Sequence, residues 1–174
     1  MQAAANLKTI IPESPSNSNN GHDMAIRNNT TEMTVLVTPD MSNFGGNMHG
    51  GELLKLLDKV AYTCAMRYCG NYVVTLSVEK VLFKEPIAIG ELLSFYASIN
   101  YTGTTSMEVG IRVIAENLET GSIRHTNTSY FTMVSVDKDG NPLPVKSLEP
   151  RNEEEKSRWQ NAIERRARQK KAAG

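Results

Sequence analysis

Between Asn43 and Asp58 the sequence NFGGNMHGGELLKLLD places a side-chain amide, two glycine pairs and a carboxylate in sixteen residues. Glycines at a helix start leave backbone N–H groups open to a ligand, and the helix dipole favours a developing negative charge there. A carboxylate on the apolar side of the same helix is a candidate general base or nucleophile. This set suits acyl-group chemistry, with the helix-start donors polarising a carbonyl. The glycines do not make a phosphate loop, because Glu52 stands where Lys-Ser/Thr would be needed.

Each candidate also has a plainer reading. Asp58 could face solvent or pair with Lys55 or Lys59. Asn43 could make the local backbone bond typical of a turn asparagine. Gly50 and Gly51 could simply allow a tight turn, and His49 reads as a loop or capping residue with no assigned proton transfer.

A helix must carry the carboxylate. Leu53, Leu54, Leu57, Val60, Ala61, Cys64 and Ala65 recur at three- and four-residue spacing, so a helix is predicted from about His49 to Tyr68, ended by Gly70-Asn71. Leu56 widens its apolar arc, which makes it central in the fold. A short strand is expected near Met33, and a longer one from Val73 to Phe83, with Thr75 and Ser77 on one face where they could line a pocket. Leu93, Phe95, Ala97, Ile99 and Tyr101 alternate on one strand face, and Met107, Val109, Ile111, Val113 and Ala115 on the next, joined at Gly103-Thr104. A last strand runs from Ile123 to about Val136. Successive hairpins mean antiparallel pairing, so the order predicts an α+β domain with one apolar helix on one curved sheet.

Outside that unit, residues 1–31 are rich in Asn and Ser and are expected to be disordered, with Met24 an alternative start. Residues from Asn152 to Lys171 read as an amphipathic helix, acidic at its start and basic at its end. Its arginines 165, 166 and 168 are expected to be a solvated charged face rather than ligand contacts. The chain has 174 residues, 40% hydrophobic and 22% charged, with nineteen basic and nineteen acidic side chains. The balanced charge gives no global field for nucleic acid or membrane. No apolar run reaches the roughly 18 residues of a membrane span. There is no signal-peptide order at the N-terminus. Cys64 and Cys69 point to different helix faces and read as reduced core thiols, and His22, His49 and His125 lack zinc-type spacing. A cytoplasmic, metal-free protein is expected.

The segment from Asn43 to Asp58, the strand TLSVEKVLFKEPI from Thr75, the YTGTTSM turn at Tyr101 and RHTNT from Arg124 resemble the hotdog-fold acyl-CoA thioesterases, in particular the YciA-like group and the cytosolic acyl-CoA hydrolases. The resemblance covers about residues 32–147, between a head (1–31) and a tail (148–174) to which nothing carries over. It implies a hotdog domain in which a long helix is wrapped by a curved antiparallel sheet. It also implies catalysis by Asn43 and Asp58, with an acyl-CoA as substrate and no cofactor. Homodimers that commonly assemble into hexamers are implied as well. Coenzyme A carries phosphates, for which Lys80, Lys84 and Arg124 are candidates.

One consequence follows from length alone. Gly50 and Asp58 are eight residues apart, about 12 Å along a helix. A thioester held at the helix start cannot also touch Asp58 of the same helix, so a second subunit must supply one of the two halves. Alternatives remain open: a non-catalytic acyl-CoA-binding protein, or a hotdog 3-hydroxyacyl dehydratase or hydratase. The latter needs a catalytic His working with an acid, whereas Asn43, not an acid, precedes His49 by six residues.

Overall fold

The computed structural model describes residues 29–79 and 81–172. The expected disorder of the N-terminal segment falls, up to residue 28, outside the described residues. β1 spans Thr30–Leu36, so regular structure begins three residues before Met33 and inside the stretch expected to be disordered. A 3-10 turn at Pro39–Met41 leads to α1 (Gly50–Cys69), followed by β2 (Val73–Glu79), β3 (Leu92–Thr102), β4 (Ser106–Glu116), β5 (Ile123–Ser135) and α2 (Glu153–Ala172). The strands form one antiparallel sheet in the order β1-β3-β4-β5-β2. This is a single hotdog-like α+β domain with a C-terminal helix, as expected.

α1 ends because Gly70 adopts φ 74°, in the left-handed region, and donates its N–H to the Met66 carbonyl. Leu53, Leu56, Leu57, Val60, Ala61, Cys64 and Ala65 are buried against the sheet. Each fully buried leucine contributes roughly 2 kcal/mol. Leu54, expected in this set, is 40% exposed, because the helix turns its apolar arc toward Leu56. Cys64 and Cys69 are free thiols, and burial pushes the Cys64 pKa up to about 11. Among the described residues no helix is long and apolar enough to cross a membrane.

Two bulges change which side chains share a face. In β3 the register slips between Ile99 and Tyr101. Leu93, Phe95, Ala97 and Ile99 are buried under α1 as predicted, but Tyr101 pairs with Glu108 and turns to the opposite face, where it meets Trp159 of α2. In β2 the register slips between Thr75 and Ser77, which pair with Met133 and Thr132 respectively. Those partners alternate along β5, so Thr75 faces α1 and Ser77 the other side, not one face as expected. The strand also stops at Glu79 instead of continuing to Phe83.

α2 docks on the sheet face opposite α1 by its apolar stripe, and two of the arginines expected to be solvated are drawn into the contact. Ala162 is fully buried and Trp159 packs against the core. Arg165 donates to Glu108 at 2.5 Å and lies 3.6 Å over the Tyr130 ring, while Arg166 covers Tyr101. Glu108 is only 1% exposed, and Asn100 is its other partner. Arg165→Ala leaves that carboxylate buried without its cation, so a loss of roughly 3 kcal/mol is expected in urea denaturation. An unchanged midpoint would mean that this pair does not anchor α2.

Candidate functional site

The loop before α1 is folded around Asn43. Its Oδ1 accepts the N–H groups of Gly45 (2.8 Å) and Asn47 (3.3 Å), its own N–H donates to the Asn47 carbonyl, and Gly46 takes φ 77° to close the turn. The local turn role is therefore real. Because Oδ1 is the atom satisfied by the backbone, the amide NH2 is the end left to donate outward.

His49 caps α1: its Nδ1 accepts the Gly51 N–H at 3.0 Å, which fixes the proton on Nε2 in the neutral ring. In this arrangement the Gly51 donor points to His49, while the Gly50 N–H makes no hydrogen bond among the described residues. Gly50 is thus the open donor at the positive end of α1, while the Gly51 N–H is held by the exposed His49 ring. A backbone bond from His49 N to the Met41 carbonyl and one from Met48 N to the Ile87 carbonyl hold the loop to the helix start.

Asp58 is exposed in the single chain, on the flank of α1 beside the edge strand β2, and not on the buried side that its neighbours suggested. Neither lysine takes it. Lys55 pairs with Glu52, and Asp58 Oδ1 instead accepts the Thr75 hydroxyl at 2.6 Å. A hydrogen bond this short to a carboxylate is strong and orients it, leaving Oδ2 free. Thr75 also touches the Met133 sulfur at 3.5 Å. Sequence reasoning named Thr75 only as pocket lining; seventeen residues separate it from Asp58, so no local signal pairs them.

Ser77 lies across the sheet from this pair. Arg124 is held by Glu91, through Nη1 at 2.5 Å and Nη2 at 2.7 Å, by Glu85 at 3.0 Å and by the Pro86 carbonyl at 2.8 Å. The Arg124 hydrogen bond holds the Glu91 pKa below its usual range in spite of burial. This arginine braces the 85–91 segment. Lys80 lies outside the described residues, and Lys84 is exposed beside the helix start. No group of three His, Cys, Asp or Glu side chains that could hold a metal occurs among the described residues.

At the start of α1 a cavity of about 320 Å³ is lined by Met48, Gly50, Leu53, Phe83, Lys84, Glu85, Pro86 and Ile87. Around the site, Phe44, Leu54, Tyr72, Val74, Leu76, Val78 and Phe83 are exposed apolar side chains. β2, which carries three of them, is an unpaired sheet edge. An apolar edge of this kind is a docking surface or an aggregation liability in isolation.

The thioesterase superfamily matches residues 45–122. VdlD of Helicobacter pylori is 55% identical over 133 residues that span 76% of each chain, and the uncharacterized acyl-CoA thioester hydrolase YkhA of Bacillus subtilis is 35% identical over 132 residues, 76% of this chain and 77% of that one. The chain belongs to the thioesterase superfamily. Its fold is that of solved thioesterases of this superfamily. An apo-hexameric acyl-CoA thioesterase superposes with a TM-score of 0.81 at 40% identity, over 86% of this chain and 95% of that one. An acyl-CoA hydrolase from Staphylococcus aureus, solved with butyryl-coenzyme A and coenzyme A, gives 0.77 at 31% identity, over 84% and 89%. That enzyme has also been solved with an Asp, an Asn or a Thr replaced by alanine. The resemblance to the hotdog acyl-CoA thioesterases thus holds for family and for fold.

Proposed function

We propose that this thioesterase hydrolyses acyl-coenzyme A to the free acid and coenzyme A, in active sites that form between two copies of the chain. One observation carries the reading. The Asn, Asp and Thr replaced in the Staphylococcus aureus hydrolase are spaced by fifteen and seventeen residues, as are Asn43, Asp58 and Thr75 here. In this chain the last two are joined by the 2.6 Å hydrogen bond.

Water is the second substrate. Asp58, oriented by Thr75, takes a proton from water as its oxygen adds to the thioester carbonyl carbon. The carbonyl oxygen becomes an oxyanion, stabilised at the positive end of α1 by the Gly50 N–H, and by the Gly51 N–H once His49 yields it. The Asn43 amide donates to that oxygen or holds the attacking water. When the carbonyl re-forms, the C–S bond breaks and the thiolate of coenzyme A takes the proton. Direct attack by Asp58, through an anhydride that water then opens, uses the same geometry.

The two halves lie about 12 Å apart along one helix, so they meet only when a partner brings Asp58 to the helix start. The exposed β2 edge with Val74, Leu76 and Val78 supplies the surface for that partner. Hexameric neighbours support a further assembly of such dimers.

The test is thiol release from a panel of acyl-CoAs, for which steady turnover is expected; none from any would overturn the reading. Thr75→Val keeps the shape and removes the hydroxyl. Its kcat is expected to fall roughly 10- to 100-fold with little change in KM, because orientation and not binding is lost.

A further inference from the structure

The apolar cavity at the start of α1 does more than flank the helix-start donors. Its walls are Met48, Leu53, Phe83, Pro86 and Ile87, and its two charged neighbours, Lys84 and Glu85, are exposed. A wall of this composition suits an alkyl chain better than the amides of a pantetheine arm. Phe83 closes it from one side. A methyl carbon on Gly50 would lie 3.4 Å from Phe83 Cζ, so the ring rests directly on the open helix start.

The segment that carries Phe83 belongs to no strand, yet it is pinned on both sides of the ring. Asn127 Nδ2 donates to the Leu82 carbonyl at 2.8 Å, and the Lys84 N–H donates to the Thr126 carbonyl at 3.2 Å. Asn127 is fully buried, and its Oδ1 has no hydrogen-bond partner. A buried amide with an unmet acceptor is costly, so its worth to the fold lies in the bond that its NH2 makes.

We propose that this cavity takes the acyl chain of the thioester, that Phe83 is the wall limiting its length, and that Asn127 is the positioning residue that holds this wall against α1. The proposal rests on the acyl-CoA hydrolase reading and names the substrate class within it. A closed apolar cavity of roughly 150 Å³ holds a benzene ring, and this cleft of about 320 Å³, open to solvent on one side, seats a chain of about ten carbons. Medium-chain acyl-CoAs are the substrates it fits.

The experiment measures kcat/KM for straight-chain substrates from acetyl-CoA to palmitoyl-CoA. For the wild type it should fall beyond about ten carbons. Phe83→Ala should raise kcat/KM for the longer chains at least tenfold, while Phe83→Trp should shorten the accepted length. Asn127→Ala should shift the profile as Phe83→Ala does, through KM for long chains, with kcat on acetyl-CoA within about twofold. Added to Phe83→Ala, it should shift the profile no further. Profiles of both Phe83 variants that superimpose on the wild type would overturn the proposal. An equal loss on every chain length in Asn127→Ala would remove that residue from it. Failure of the wild type to release thiol from any acyl-CoA would instead refute the hydrolase reading.

Discussion

Asp58→Ala is expected to reduce kcat by roughly 10³-fold or more, the loss that follows removal of a general base or nucleophile. The fold should be unaffected. Asp58 is exposed on its own chain, its one hydrogen bond is to the Thr75 hydroxyl, and no lysine depends on it. Alanine is also a better helix former than aspartate. Unchanged denaturation with lost turnover is therefore the expected pair of results. Retained turnover would end the assignment of Asp58. Single-turnover hydrolysis in heavy-oxygen water bears on its two possible roles: label in the Asp58 carboxylate shows an anhydride that water opened at Asp58, since a general base acquires none.

The second large effect is a gain. Asn43→Asp keeps oxygens that accept the Gly45 and Asn47 N–H groups, so the loop should stay closed. It removes the outward NH2 and puts negative charge beside the carbonyl oxygen, for an expected loss of about 10²- to 10³-fold. Asp58→Ala and Asn43→Asp would then each be nearly inactive alone. Refolded together in equal amounts, they should recover about a quarter of wild-type activity, since one site in four receives an intact half from each partner. The same fraction applies whether the assembly is a dimer or a hexamer. A mixture no more active than its components would show that each site lies within a single chain.

Most of the scaffold was legible from local signals. The three- and four-residue spacing from Leu53 to Ala65 and the stop at Gly70 mark α1 to within a residue at each end. Two-residue alternation marks β3 and β4 equally well. What failed were inferences that needed an unbroken register. Tyr101 and Ser77 follow bulges, and one extra residue sends every later side chain to the other face with no strong local signature. Leu54 failed for a related reason: periodicity marks an apolar arc but not its centre, which the packing of Leu56 on the sheet decides.

By itself, the sequence determined the elements and the family resemblance, and it named Asn43 and Asp58 as the candidates for catalysis. It also determined that Gly50 and Asp58 cannot meet on one helix, because helix rise per residue is a covalent and hydrogen-bonding constant. Tertiary structure alone decided which partners those residues have. Thr75 and not Ser77 holds Asp58, Arg124 is bound to Glu91 thirty-three residues away, and Arg165 is bound to Glu108 across fifty-seven. Such pairings arise where sheet register and helix docking bring distant charges together. No local pattern encodes them, since their energy is gained only after the chain has closed those loops.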